Sequence, residues 1–307
     1  MAADIRRISR RGLVVGAACV TAAGLEYASF RGAFDHRRWP GAAGAQRYAA
    51  SLGALGRDDG HSGIVHIGHS THLVVLGGVR FLTDPWFYDP AFGALCHDIL
   101  PAVAPSGLGE LDAILVTHDH ADHADLRAMD EMDKRATIYV PTAELAARVR
   151  SLGFREIAIL RPWEAHRQRG VTVTAVPALH DIYEVGYVLQ AHGRSVYFAG
   201  DTRLHPDLPA LAERFAPTAA ILPVDGTRLT GAGLQVMTPA DAVSAARTLG
   251  CKLVLPSHAE AGFSDPLAEH VLVSTVPQAR DRFFEMMTAQ LPGVACRVPE
   301  PGELISM

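Results

Sequence analysis

The sequence contains no CxxC pair, no large excess of one charge and no uninterrupted apolar run of membrane-spanning length. Each absence removes a class of function. The four isolated cysteines, Cys19, Cys96, Cys251 and Cys296, form neither a zinc knuckle nor a disulfide framework and read as small core residues. A net charge of −5 offers no footprint for nucleic acid. The stretch GHST, Gly68 to Thr71, is not a nucleophile elbow, so no serine triad is indicated. What remains is ordinary globular composition, 49% hydrophobic and 20% charged, in a chain of 307 residues that can fold as one large domain or two small ones. One residue type is over-represented, with 15 histidines.

The first 30 residues have the pattern of an address rather than of a fold. Arg6, Arg7, Arg10 and Arg11 precede a stretch of small apolar residues from Gly12 to Leu25, too short for a comfortable membrane span and suited to a signal h-region. SRRGLV, Ser9 to Val14, resembles the twin-arginine export motif. Residues 1–30 are therefore expected to act as an export signal or membrane anchor, with a periplasmic or inner-membrane location. The alternative is a cytoplasmic protein with a basic start. Without those arginines the remaining chain is more acidic, which argues against an anionic membrane or a polyanion as its main target.

Residues 31–62 carry no clear period and read as a linker or peripheral segment. Regular patterning starts at Gly63 and is expected to continue to the end as one domain, 63–307. HLVVL and VRFLTD are strands joined by a Gly77-Gly78 turn, and GYVLQAHGRSVYF is a hairpin turning at His192-Gly193. Thr142 and Thr238 cap helices that Gly153 and Gly250 end. Alternating strands and helices predict a layered α/β domain. Four apolar strands end in residues that bind metals: His118, His180, Asp201 and His258. Strand C-terminal ends are where α/β sheets place their sites.

THDHADH, Thr117 to His123, is the densest motif. Imidazoles at His118 and His120 on an extended loop can converge on one cation, while Asp122 and His123 turn toward a second. The ordinary alternative is a solvated acidic loop. Imidazole with carboxylate suits zinc, with manganese or iron(II) as other occupants. Taken singly, His180 and His258 could be hydrogen-bonded strand-end histidines, and Asp201 a helix cap. Asp84, at a strand end before Pro85, could orient a ligand histidine or merely close a turn. His69 is a site candidate or a structural turn histidine. Trp86 and Tyr183 could line a pocket or pack in the core.

Together with PALH (His180), YFAGDT (Asp201) and LPSHAE (His258), this motif resembles the metallo-β-lactamase-fold metallohydrolases over residues 63–265. IGHSTHLVVLGGVRFLTDPWF and MTPADAVSAARTLGCKLVLPSH resemble the branch of ascorbate phosphate lactonases and N-acylphosphatidylethanolamine-type phospholipase D enzymes. The resemblance implies a four-layer αββα sandwich with the site at one sheet edge. It implies two divalent ions, one on His118, His120 and His180, the other on Asp122, His123 and His258, with Asp201 bridging. It makes Asp122 and His258 the candidates for catalytic duty, Asp122 also orienting the nucleophile and shuttling a proton. Two such ions lower the pKa of a shared water toward neutrality, for attack on an ester, lactone or phosphodiester of a small-molecule substrate. SHAEAGFSD, after His258, lacks the tryptophan of the phospholipase-like members. Members that reduce oxygen carry Glu where this chain has His120, so hydrolysis is the expectation. The rival readings are an amide or β-lactam hydrolase on the same centre, a catalytically idle metal-binding module, and a nuclease, for which the chain shows no basic groove. Oligomeric state leaves no trace in the sequence.

Overall fold

The computed structural model describes residues 42–57, 60–264 and 271–307. The export segment expected in residues 1–30 lies outside them. Among the described residues no helix is long and apolar enough to cross a membrane.

Two seven-stranded sheets form the frame. In the first, β1 (Gly63–Gly68), β2 (Thr71–Leu76) and β3 (Val79–Thr83) run antiparallel to their neighbours, and β5 (Ala113–Leu115), β6 (Thr137–Val140) and β7 (Ile157–Ile159) extend the sheet in parallel from β3. Outside both sheets, β4 (Leu95–His97) pairs with β16 (Ala261–Phe263), and β13 (Arg228–Leu229), β14 (Gly233–Leu234) and β17 (Val273–Ser274) form a small third sheet. In the second, β8 (Ala165–Gln168), β9 (Val171–Pro177), β10 (Val185–Ala191) and β11 (Arg194–Phe198) are antiparallel, and β12 (Ala219–Pro223), β15 (Leu253–Ser257) and β18 (Ala295–Cys296) continue parallel from β11. Gly77 and Gly78, with φ of 57° and 72°, supply the turn that joins β2 to β3.

The period-2 patterns sort apolar residues onto two buried faces. Along β2, Val74 and Leu76 point between the sheets, while Leu73 and Val75 face the helices. Burying both faces is why these strands read as nearly continuous apolar runs. Each such side chain contributes about 1.5–3 kcal/mol of burial. Helices α1 (Ala42–Ala54), α2 (Leu126–Glu131) and α3 (Ala143–Ser151) cover the first sheet through residues such as Tyr48, Met129 and Val149. Helices α4 (Leu208–Phe215), α5 (Pro239–Leu249) and α6 (Ala279–Gln290) cover the second through Leu211, Val243 and Phe283. The result is the αββα sandwich that the sequence predicts. The helix ends follow their caps: Thr142 accepts from Leu145 N, and Thr238 with Asp241 forms a capping box closed by Gly250 at φ 63°.

Helix α1 falls in the 31–62 segment and docks on the core: Tyr48 Oη donates to Leu108 O at 2.8 Å and Ser51 Oγ to Gly302 O at 2.7 Å. Strand β19 (Leu304–Ser306) adds the chain end to β1, an element without a sequence signal because it is three residues long. Cys251 and Cys296 are buried, as small core residues should be.

The topology fixes where the site can form. β1, β3 and β5 share one direction, and so do β9, β11, β12 and β15, so within each sheet they end at one edge, and the side chains that follow β5, β9 and β15 bring the two edges together.

Candidate metal centre

Seven ligand-type side chains meet at that edge. His118, His120, Asp122 and His123 leave β5 on one loop, and His180, Asp201 and His258 follow β9, β11 and β15. Their ligand atoms fall into two groups. His118, His120 and His180 form the first, with His118 Nε2 2.9 Å and His180 Nε2 3.2 Å from His120 Nδ1. Asp122, His123 and His258 form the second, joined by His69. Asp201 Oδ2 lies 2.9 Å from His258 Nε2 and 3.1 Å from His123 Nε2. The first group is partly open, at His120 and His180, whereas every member of the second is buried.

Gly200 makes the approach of Asp201 possible. Its φ is 70°, and a Cβ there would fall on the Glu184 carboxylate. His69, Asp84 and His258 also adopt positive φ, at 51°, 29° and 53°. Such strain in non-glycine residues costs on the order of 1–3 kcal/mol each and persists where the surroundings impose it.

Buried carboxylates stand behind three of the histidines. Asp84 Oδ2 accepts from His123 Nδ1 at 2.7 Å and is itself fixed by the Thr117 amide and hydroxyl, at 2.8 and 2.7 Å. Asp225 Oδ2 is 3.0 Å from His258 Nδ1, and Glu184 Oε1 is 3.3 Å from His118 Nδ1. Gln235 O lies 3.2 Å from His180 Nδ1. Anchoring one ring nitrogen leaves the other aimed inward as a ligand. Of these partners the sequence reading contains only Asp84. Asp225 follows an apolar strand and carries the same strand-end signal as Asp201. Glu184 and Gln235 sit in irregular loops where no pattern marks them.

Charge in the site follows from this burial. Burial and the neighbouring histidines pull His118 and His120 down to about 3, so both are neutral electron-pair donors. Burial also lowers His123 and His258, but the Asp201 carboxylate and its neighbours outweigh it and raise both. Burial likewise opposes ionisation of Asp201, yet His123 and His258 hold its pKa well below the usual carboxylate range. Burial pushes Glu184 up to about 7. The second group is thus a nest of anions balanced by positive charge.

The residues fit a pair of divalent ions. Asp122 Oδ1, His123 Nε2 and Asp201 Oδ1 are buried at the centre without any hydrogen-bond partner. Buried polar groups of that kind cost about 1–3 kcal/mol apiece when unmet, and here they converge. Imidazole with carboxylate is the donor set of zinc and similar transition metals.

Other residues fall elsewhere. Asp119 turns outward and pairs with Arg148 of α3. Trp86 is fully buried, stacked on His97 with ring centroids 3.6 Å apart, and meets His69 edge-on at 5.0 Å, so it walls the site from behind and does not line the mouth. Tyr183 is 52% exposed beside Glu184, and Phe92 packs edge-on against His120. Asp181, absent from the sequence reading, lies 3.0 Å from His180 Nε2 at the open side.

Comparison with known proteins agrees with this geometry. A family model described as a beta-lactamase superfamily domain matches residues 79–259. A UPF0173 metal-dependent hydrolase of Rubrobacter xylanophilus is 34% identical over 215 residues, covering 65% of this chain and 82% of that protein. A metallo hydrolase from the hyperthermophilic archaeon Ignicoccus hospitalis superposes with a TM-score of 0.60 at 22% identity, over 80% of this chain and 98% of that one. An isothiocyanate hydrolase from Delia radicum gut bacteria superposes with a TM-score of 0.65, also at 22% identity, over 80% of this chain and 99% of that one. At these identities the two structures speak for the fold alone.

Proposed function

This chain is a metal-dependent hydrolase of the beta-lactamase superfamily, and from that premise we propose that it opens an ester or lactone bond in a small, largely uncharged molecule at a dinuclear centre. Zinc is the first choice of metal, with manganese or iron(II) as substitutes. The observation that carries the reading is that Asp122 Oδ1, His123 Nε2 and Asp201 Oδ1 are buried and unpartnered where ligand atoms of His69, Asp122, His123 and His258 lie within 4.8 Å of one another, in the same site as the group of His118, His120 and His180. When bound, the two ions would supply Lewis acidity and a hydroxide nucleophile near neutral pH. His118, His120 and His180 would hold the first, and Asp122, His123 and His258 the second, with Asp201 as the candidate to be shared between them. Asp122 Oδ2 faces His123 Nε2 and His258 Nε2, each at 3.7 Å, and Asp122 would also orient the nucleophile. Asp84 on His123 Nδ1 and the Thr117 hydroxyl on His118 Nδ1 would keep those rings in their tautomers, with the Asp225 and Glu184 carboxylates lying behind His258 and His118.

The rim supports the choice of bond. Leu179, Ile182, Tyr183 and Leu204 are large apolar residues exposed beside His180 and Asp201, and the two loops that carry them are joined by Arg203 N donating to Leu179 O at 2.9 Å. Asp181 adds a carboxylate at the open side, while Arg203 turns its Nε back to Leu179 O at 3.3 Å. An anionic phosphodiester would meet apolar side chains and a like charge. An uncharged ester or lactone would not. The lactonase-like branch therefore leads. A phosphodiesterase comes second, and amide or β-lactam hydrolysis on the same centre third. The test is kcat/KM of the zinc-loaded protein on aryl esters and lactones, on bis(p-nitrophenyl) phosphate and on a chromogenic β-lactam. The reading expects the uncharged esters and lactones to lead by at least about tenfold. A lead for the phosphodiester would overturn it.

The same proposal places the enzyme outside the cytoplasm, exported through Arg10 and Arg11. Exchanging both for lysine should leave the protein in the cytoplasm, and undisturbed delivery would contradict the export route.

A further inference from the structure

His69 lies in the turn between β1 and β2, and it is 1% exposed. Neither ring nitrogen has a hydrogen-bond partner. Leaving both nitrogens of a buried imidazole unmet costs about 1–3 kcal/mol for each. Its ring is aimed at the second histidine group: Nε2 is 3.8 Å from Asp122 Oδ2, and the ring centroid is 4.3 Å from that of His258. A ligand atom of His69 lies within 4.8 Å of ligand atoms of Asp122, His123 and His258.

The main chain is built to hold it there. The left-handed backbone at His69 is pinned from both sides: Glu260 Oε2 accepts from His69 N at 3.1 Å, and His258 N donates to His69 O at 3.4 Å. Glu260 is anchored in turn by His66 Nε2 at 2.9 Å and by Arg280 of α6. Trp86 closes the other side of the ring. A turn histidine with only a structural task would be expected to spend a ring nitrogen on a hydrogen bond, as His72 does on Ser70 O.

We propose that His69 is a ligand of the second metal position, so that this position is closed by protein side chains while the first keeps its open face at the mouth. The inference rests on the dinuclear reading above. It makes the two positions unequal. His69, Asp122, His123, His258 and Asp201 would hold the second ion, enough protein ligands to close that position. His118, His120 and His180 leave room on the first for substrate, so the first is the exchangeable ion.

The test uses the full chain loaded with zinc and dialysed against increasing chelator, with metal counted by elemental mass spectrometry and folding followed by thermal melting. The wild type should lose one ion early and retain the other to at least about 100-fold higher chelator activity. In His69→Gln the retained ion should leave at least about tenfold more readily. In His72→Gln, a buried histidine outside the centre, both ions should leave as in the wild type. Two ions with wild-type retention in His69→Gln, and an unchanged cobalt absorption spectrum, would overturn the role of His69 alone. A wild type that takes up no ion would overturn the dinuclear reading and this inference with it. Should His69→Gln not fold, NMR of the wild type loaded with cadmium-113 decides: a metal coupling to the His69 ring supports the inference, and couplings to His123 and His258 without one to His69 overturn it.

Discussion

Two clusters of buried histidines lie at the same sheet edge, and they treat their hydrogen bonds in opposite ways. In one, His66 Nδ1 meets His72 Nε2 at 3.1 Å, His66 Nε2 meets Glu260 Oε2 at 2.9 Å, and Arg280 completes the set. In the other, around Asp122, His123 and Asp201, buried donors and acceptors point at one another's centre and stay unmet. A satisfied network locks the fold. An unsatisfied, convergent one requires an outside partner. What distinguishes the two clusters is the gathering of unmet atoms within reach of one another and not burial, since both are equally buried.

The largest effect that sharpens this contrast comes from the convergent cluster. His120→Ala and Asp201→Ala should each lose metal and turnover together, by at least about 100-fold, because a ligand is gone. Elemental analysis beside steady-state rates checks this. An Asp201→Ala protein with normal metal content would remove its place between the two groups.

Next is the layer behind the ligands. Asp84→Asn takes the carboxylate from His123 Nδ1 and should weaken metal binding by about 10–100-fold, read by competition with a chelator. The satisfied cluster should respond differently. His72→Ala should cost about 1–3 kcal/mol of stability by stranding His66 Nδ1, while the metal content stays at the wild-type value. A melting curve and a metal count on the same sample separate the two effects.

The smallest expected effect is a pH limb. Burial favours the neutral acid at Glu260, but His66 and Arg280 outweigh it and hold its pKa at about 2, below the ordinary 4.5. A lowered carboxylate pKa adds stability above about pH 4.5 that disappears as the pH falls toward 2. Glu260→Gln should flatten that limb in acid-unfolding curves, and an unchanged limb would assign it to other carboxylates.

How legible all this was in the sequence depends on the kind of signal. The layered fold shows in long strands such as β2, whose two faces alternate between sheet and helix, and in the caps at Thr142 and Thr238. The histidine loop and the strand-end residues His180, Asp201 and His258 show because topology sends every one of those strands to one edge. Shorter pieces leave no period: α2, with six residues, and β19, with three, are decided by tertiary contacts. His66, His69 and His72 look alike in the stretch VHIGHSTH. Only the paths of β1 and β2 decide that His66 and His72 bond inward while His69 turns toward Asp122, His123 and His258. Glu184 acts from an irregular loop, so no local pattern could reveal it, whereas Asp225 carries the same strand-end signal as Asp201.

We propose that the unpaired donors at this edge hold a pair of metal ions. Elemental mass spectrometry on the purified full chain tests it most directly. Close to two zinc or other transition-metal ions per chain is the expected result. A chain that holds no metal, even after zinc or manganese is added, would contradict the account.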